Sequence, residues 1–249
     1  HDINSLNDIT IPKDTAHTLF VFDIDNTLLT ETAAEQYIGS PMWFAWQSKQ
    51  IANGGPYAIT DNLNELYPFN DYVLGRMTSK VCEPAPNGTQ AFMQRLQHAH
   101  IAVITATARE PAVFQTTLQQ LTQAGLASAL STKRITLPVP TSLGNRTFYQ
   151  NGLLLLTGQN KGQFVHALLK QSHTDKQFTT IVFIDDTQKN IDKFIAAYQQ
   201  YPNVHLYTYH YNHELAEVQQ FQQSVLSKTP FLKNLAQEDT TWYQEFNNR

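Results

Sequence analysis

A chain of 249 residues is long enough for one large α/β domain, or for a core domain with a modest inserted one. The net charge of −4 and the 15% of charged residues exclude the basic surface of a general nucleic-acid binder, so we expect no binding to a nucleic-acid duplex. A single cysteine, Cys82, excludes an intramolecular disulfide and a cysteine-based metal site, and no apolar run reaches the length of about 18 residues that a membrane span requires.

Short apolar runs alternate with helical patterns along most of the chain. Runs typical of buried strands occupy residues 17–22, 101–107, 179–184 and 203–209. Patterns with apolar residues on one helix face occupy residues 89–98, 111–124, 162–170 and 188–200. This alternation predicts an α/β fold in which a parallel sheet lies between two layers of helices. Ligands of such folds bind beyond the carboxyl ends of the strands, so we expect the chemically active residues there.

Residues 30–80 interrupt this alternation soon after the first strand. The segment is too long for an ordinary loop, and it contains turn signals such as Asn53-Gly54-Gly55-Pro56. We therefore predict a small, mainly helical cap inserted at 30–80, with residues 1–29 and 81–249 forming the core. Either Trp43 or Phe44 is expected to fix the position of this cap. The segment is rich in aromatic residues: Tyr37, Trp43, Phe44, Trp46, Tyr57, Tyr67, Phe69 and Tyr72.

Pairs of aspartates directly follow two of the predicted strands. Asp23 and Asp25 follow the run 17–22, and Asp185 and Asp186 follow the run 179–184. Buried carboxylates are costly without a positive partner, and Mg²⁺ prefers such hard oxygen ligands. Either pair alone would also suit a solvated turn or a helix cap, but a cap accounts for one carboxylate and not for the whole set. If the two strands are neighbours, the sequence predicts a Mg²⁺ site at the edge where they end.

Two further residues suit the binding of phosphate at the same edge. Thr107 ends the run 101–107, just before a helix that Pro111 opens, and helix N-termini bind anions well. Thr105 offers the same hydroxyl but is expected to lie deeper in the sheet. Lys161 precedes the helical pattern 162–170. It is either an ordinary surface charge or, beside the predicted carboxylates, the cation that neutralises both carboxylate and phosphate.

Four segments of the sequence resemble the motifs of the haloacid dehalogenase (HAD) superfamily. They read VFDIDNTLL, ITATAR, NKG and VFIDDTQKN, and their order and spacing are similar to those of the superfamily. The sequence also resembles a poorly characterised bacterial family whose first motif is followed by a segment like IGSPMWF, although ATAR stands here where that family has LTAR. The resemblance implies a HAD-like Rossmannoid core with a cap inserted after the first strand.

The resemblance also implies roles for individual residues. Asp23 would attack phosphorus and form an aspartyl phosphate, and Asp25 would act as general acid and then as general base. Thr107 and Lys161 would hold the phosphoryl oxygens. The Mg²⁺ ligands would be the Asp23 side chain, the Asp25 backbone carbonyl and Asp186, with Asp185 as the second choice because Asn190 lies four residues after Asp186. The aspartate at position 25 favours a phosphatase over a dehalogenase.

Two classes of function remain open from the sequence. The first is a Mg²⁺-dependent phosphatase that acts on a phosphate monoester in a small metabolite, a nucleotide or a phosphoprotein. The second is a catalytically silent, phosphate- or metal-binding interaction module on the same fold. The compartment is also open: the chain begins at His1, so either a tag or tail was removed or an export signal was cleaved, and the composition slightly favours an exported, periplasmic protein over a cytoplasmic one.

Overall fold

The computed structural model describes residues 1–31, 38–76, 79–82, 88–130, 134–137, 146–226 and 230–249. Strands β1 to β9 comprise Asp2–Ile3, Thr18–Phe22, Leu29–Glu31, Ser79–Val81, Ala102–Thr107, Phe148–Gln150, Leu153–Leu155, Thr180–Asp185 and His205–Tyr211. Helices α1 to α8 comprise Pro41–Ala52, Leu63–Leu74, Gly88–His98, Phe114–Gln123, Lys161–Gln171, Gln188–Tyr198, Leu215–Leu226 and Pro230–Asn247. Each predicted strand and each predicted helix is present, with ends that differ by a few residues at most.

Most of the strands form one mainly parallel sheet in the order β1-β9-β8-β2-β5-β7-β6. The neighbouring strands are parallel except for β6, which pairs with β7 in the antiparallel direction. Strand β2 lies between β5 and β8, where Phe22 is opposite Thr105 on one side and Ile184 on the other. The strands that precede the predicted site residues are therefore neighbours, and they end at the same edge of the sheet.

Side chains from β2 contact helices on both faces of the sheet. Leu19 and Val21 are fully buried in a cluster with apolar side chains of α5 and α6. Phe20 and Phe22 point the other way, where both rings lie near Phe92 of α3, with ring centroids 6.0 and 6.4 Å apart. A strand covered on both faces is expected to be largely apolar, and β2 is apolar from Leu19 to Phe22; the hydroxyl of Thr18 at its start donates to the Asp14 carbonyl. The predicted three-layer α/β fold is confirmed.

A second compact unit comprises residues 31–79 and 214–249, and the sheet unit comprises residues 1–30 and 80–213. Helices α1 and α2 confirm that the inserted segment is mainly helical; Tyr37 lies outside the described residues. Trp43 is fully buried within this unit, and its indole N–H donates to Asp239 Oδ1 of α8 at 2.8 Å. The buried apolar residues of the unit are Ile38, Trp43, Trp46, Leu66, Phe69, Tyr72, Val73, Phe221 and Leu235.

The assignment of residues 214–249 to the core was wrong. Helices α7 and α8 pack with the helices of the insert, as the burial of Phe221 and Leu235 among its aromatic side chains shows. The sequence reveals that such helices have an apolar face, but not which surface covers that face. No helix in the described ranges is both long enough and apolar enough to cross a membrane.

Candidate functional site

The carboxyl ends of β2 and β8 bring two of the predicted carboxylates together. Asp23 directly follows β2, and its backbone N–H donates to the Ile184 carbonyl at 2.9 Å, which continues the pairing of the two strands. Asp185 is the last residue of β8. The Asp23 residue is 6% exposed and Asp185 is fully buried, so both carboxylates lie where an unpaired charge would be costly.

Lys161 lies between these two carboxylates. Its Nζ is 2.7 Å from Asp23 Oδ1 and 2.6 Å from Asp185 Oδ2, and the residue is 4% exposed. Helix α5 begins at Lys161 because the Asn160 side chain caps it, accepting from the Gln163 N–H. The sequence left open a surface charge or a site cation at this position, and the structure shows a buried cation paired with two carboxylates.

Gly162 lets this end of α5 approach α6 closely. A Cβ atom at Gly162 would lie 2.8 Å from the Ala197 Cβ and 3.1 Å from the Phe194 Cα. Those distances are too short for a side chain, so the glycine after Lys161 is required by packing and not by its backbone angles. The Asn-Lys-Gly segment thus combines a helix cap, the buried cation and the close helix contact.

Asp185 and Asp186 have different surroundings. Asp185 accepts from the Thr187 N–H at 2.9 Å and from Asn190 Nδ2 at 3.0 and 3.2 Å, in addition to Lys161. Asp186 is less buried and accepts from the Thr187 hydroxyl at 3.1 Å. Asn190, which the sequence motif related to Asp186, therefore contacts Asp185. Asp185 has both oxygens occupied by protein donors, whereas Asp186 retains more capacity for a ligand.

Asp23, Asp185 and Asp186 each have a carboxylate oxygen that lies within 4.8 Å of the corresponding oxygens of the other two. This set fits Mg²⁺, which binds hard oxygen ligands and commonly uses one or two protein carboxylates. The Asp25 side chain is directed elsewhere, and the contribution predicted for that residue was its backbone carbonyl. The turn that carries Asp25 is closed by N–H groups of Leu28 and Leu29, each of which donates to the Ile24 carbonyl at 2.9 Å.

Burial and crowding change the acidity of this cluster. Burial raises the pKa of Asp23 well above its usual range; Lys161 opposes this effect, and the charges of Asp185, Asp186 and Asp25 add to it. Burial and the charge of Asp185 raise the pKa of Asp186 to about 7. Burial alone would lower the pKa of Lys161, but Asp185 and Asp23 outweigh it and the pKa lies above its usual range. One lysine thus faces an excess of negative charge, which a divalent cation would offset.

Asp25 forms an ion pair with Arg109 through both of its oxygens. Arg109 Nη2 is 2.7 Å from Asp25 Oδ1, and Arg109 Nε is 3.0 Å from Asp25 Oδ2. The Arg109 side chain is 4% exposed and the Asp25 side chain is 25% exposed. In the sequence Arg109 is the last residue of the ITATAR motif, and no role was predicted for it. The sequence feature that could have indicated a role in the site is the position of Arg109, two residues after the threonine that ends a strand beside the predicted site.

Thr107 ends β5 at the same edge, as predicted, and its hydroxyl accepts from the Arg109 backbone N–H at 3.2 Å. Thr105 is opposite Phe22, one residue before Asp23 in the register, so it lies deeper in the sheet as expected. The structure therefore joins Asp23, Lys161, Asp185 and Asp186 in one cluster, and Asp25, Arg109 and Thr107 in a second set beside it.

These features define a class: an α/β protein with a Rossmann-like three-layer core and an acidic cluster around one buried lysine at the carboxyl edge of its sheet. Residues 2–244 match the model of a family described as a protein of unknown function, DUF2608, and the chain belongs to this family. Searches of the curated proteins and of the solved structures found no match to the chain.

Proposed function

We propose that this protein is a Mg²⁺-dependent phosphohydrolase of the HAD type that cleaves phosphate monoesters through an aspartyl phosphate on Asp23. The observation that carries the proposal is the buried Lys161 ammonium between Asp23 and Asp185, with Asp186 beside them. The cluster lies at the edge where ligands of parallel α/β sheets bind. Phosphoryl transfer depends mainly on positioning and on charge stabilisation, and this cluster supplies both.

In the proposed reaction, an Asp23 carboxylate oxygen forms a bond to phosphorus while the bond from phosphorus to the ester oxygen breaks. Asp25 gives its proton to that departing oxygen and becomes a carboxylate. Water then attacks the phosphorus, Asp25 takes a proton from the water, and the phosphorus separates from Asp23 as inorganic phosphate. Both aspartates return to their starting states. Lys161 and Thr107 hold the phosphoryl oxygens.

Mg²⁺ would be held by Asp23, Asp186 and the Asp25 carbonyl, with Asp185 as the second choice, and when bound it supplies positive charge that stabilises the phosphoryl group during transfer. The hydrogen bonds that occupy both Asp185 oxygens support the preference for Asp186. The substrate class comprises phosphate monoesters of a small metabolite, a nucleotide or a phosphoprotein.

A second candidate function is a catalytically silent module that binds phosphate or metal. The observation that favours it is the ion pair between Asp25 and Arg109, because it occupies both oxygens of the proposed general acid. Turnover distinguishes the two candidates, since a silent module would bind Mg²⁺ and phosphate but release no product.

The first prediction concerns turnover itself. Hydrolysis of p-nitrophenyl phosphate should require Mg²⁺ and be inhibited by Ca²⁺, whose longer and looser coordination misplaces the reacting groups. Asp23→Asn should reduce kcat by about a thousandfold or more, because the amide cannot replace the nucleophile. Release of p-nitrophenolate measures both effects. The matched control is Asp192→Asn on the exposed face of α6, which should keep wild-type activity.

Full activity in Asp23→Asn would refute the assignment of the nucleophile. If the wild-type protein hydrolyses none of a panel of phosphometabolites, nucleotides and phosphopeptides, yet binds Mg²⁺ in a titration that Asp186→Asn abolishes, the silent module is the correct function. Activity toward one class in the panel identifies the substrate class.

A further inference from the structure

The Arg109 guanidinium contacts protein groups along more than one edge. Its Nε and Nη2 atoms face Asp25, and its Nη1 donates to Thr117 Oγ1 at 3.0 Å and to Gln120 Oε1 at 2.7 Å. Thr117 and Gln120 are buried side chains of α4. Together with the contact between the Arg109 backbone N–H and Thr107, these bonds fix the guanidinium at the end of β5.

The two members of the ion pair differ in their freedom to move. Arg109 is held by α4 and is almost fully buried, whereas Asp25 sits in the turn after β2 and a quarter of its side chain is exposed. A planar guanidinium fixes a carboxylate in both position and orientation when it binds through two N–H groups. The fixed partner is therefore Arg109, and the oriented partner is Asp25.

We propose that Arg109 is a positioning residue that orients the Asp25 carboxylate for proton transfer to the leaving oxygen, an inference that rests on the proposed function. The two contacts hold both Asp25 oxygens relative to the end of β5. The anchoring of Arg109 on α4 therefore sets the orientation of the Asp25 carboxylate.

Leaving groups that differ in their need for a proton test this role. An alkyl phosphate releases an oxygen that must be protonated as it departs, whereas 2,4-dinitrophenyl phosphate releases a stable phenolate. General acid catalysis contributes about 10²- to 10⁴-fold, and misplacement of a reacting group can cost about 100-fold. Arg109→Gln should therefore lower kcat/KM for glycerol 2-phosphate by about 100-fold and for 2,4-dinitrophenyl phosphate by less than about fivefold.

Arg109→Lys separates orientation from charge. Lysine keeps the positive charge but cannot bind a carboxylate through a rigid fork, so this variant should show the same selective loss as Arg109→Gln. Thr117→Val and Gln120→Leu remove the anchors on α4 without touching Asp25, and each should show a smaller loss with the same selectivity. These two variants also keep the test valid if the arginine substitutions prevent folding. Arg95→Gln, on the exposed surface of α3, is the matched control.

A double-mutant cycle shows whether Arg109 acts through Asp25. In an Asp25→Asn background the leaving-group preference is already altered, so adding Arg109→Gln should change it no further. An equal loss on both substrates in the single variants would reduce Arg109 to a structural role and overturn the inference. A gain of activity would overturn it too, since Arg109 would then restrain Asp25. A wild-type protein that hydrolyses neither substrate refutes the proposed function itself, which is a separate and distinguishable result.

Discussion

Lys161 and the aspartates around it form a buried ion cluster in which the positive and negative charges do not balance. The lysine is bound by two carboxylates and lies next to a third, so its charge is shared and the cluster retains a negative excess. A cluster built for stability alone would match its charges, because each uncompensated buried charge costs several kcal/mol. The remaining negative charge is the part of the site that a cation or a proton would neutralise.

Lys161→Met should destabilise the sheet unit. The substitution leaves Asp23 and Asp185 buried without their cation, and the loss of one partner of a buried pair costs about 3–5 kcal/mol. Urea unfolding in metal-free buffer, followed by far-UV circular dichroism, should show a decrease of this size. Added Mg²⁺ should recover part of it, because the ion would replace the missing positive charge. The control is Lys193→Met on the exposed face of α6; equal stability of the two variants would contradict the assigned role of Lys161.

The contact between α5 and α6 places the lysine. Both helices cover the same face of the sheet, and they approach each other closely at Gly162, immediately after Lys161. A side chain at Gly162 would push the first turn of α5 away from α6. Because Lys161 is in that turn, the packing of two helices determines the distance between its Nζ and the carboxylates.

Gly162→Ala should therefore reduce both stability and activity. Overpacking costs about 1–3 kcal/mol, although alanine recovers up to about 1 kcal/mol of helix propensity. We expect a net loss of free energy of unfolding in urea, together with a decrease in kcat for p-nitrophenyl phosphate. Gln163→Ala, at the exposed next position, isolates the gain in propensity and should be neutral or stabilising. A stabilised, fully active Gly162→Ala would show that α5 can shift without consequence.

At the scale of the whole molecule, the chain divides between a sheet unit that contains the candidate site and a helical unit built from two distant segments. The helical unit has a buried carboxylate of its own, Asp239, which accepts from Trp43 Nε1 and from Gln47 Nε2, each at 2.8 Å. These bonds link α1 to α8. Burial raises the pKa of Asp239 to about 7, and the nearby Glu238 adds to the rise while Trp43 and Gln47 oppose it.

The stability of the helical unit should consequently depend on pH. The pKa of Asp239 is raised from 3.8 to about 7 on folding, so the folded state binds the extra proton between these values. The contribution is complete below the unfolded pKa and is lost as the pH rises toward about 7, with a slope of up to about 1.4 kcal/mol per pH unit. Between about pH 5 and pH 8, wild-type protein should lose on the order of 2 kcal/mol relative to Asp239→Asn.

Tryptophan fluorescence measures this effect selectively, because Trp43, Trp46 and Trp242 all belong to the helical unit. Urea unfolding at several pH values would give the difference between wild type and variant. Glu238→Gln is the matched control, since Glu238 is the exposed neighbour in sequence and its removal should leave most of the slope. A difference that stays constant across this pH range would contradict the raised pKa.

The burial of Trp43 makes this residue unsuitable for testing the predicted role of the insert as a cap. Its side chain is fully buried in the helical unit and bonded to Asp239, so its removal would destabilise that unit before it altered specificity. Phe44 is only partly buried. That the insert closes over the site stays a prediction, and Phe44 is the better of the two positions at which to measure KM for large and small substrates.

The sequence by itself determined four strands of the main sheet and the edge of that sheet at which the candidate site lies. Apolar runs such as 17–22 are typical of strands covered on both faces, and the aspartates that follow two of them meet because the structure makes β2 and β8 neighbours. The helical pattern 162–170 that follows Lys161 was also readable, and it begins one residue after the start of α5. These features depend on local pattern and on the regular geometry of parallel sheets.

Only the tertiary structure decided which side chains pair. The bidentate ion pair between Arg109 and Asp25 depends on two loops that follow different strands and on the hydrogen bonds of Arg109 to α4. The contact of Asn190 with Asp185 rather than Asp186 depends on the orientation of one side chain after β8. Likewise, α7 and α8 have apolar faces that would suit either unit, and they join the helical one because the aromatic side chains of α1 and α2 cover those faces. A periodic pattern specifies that a face is buried, but the partner is set by shape and by long-range contacts that no local pattern contains.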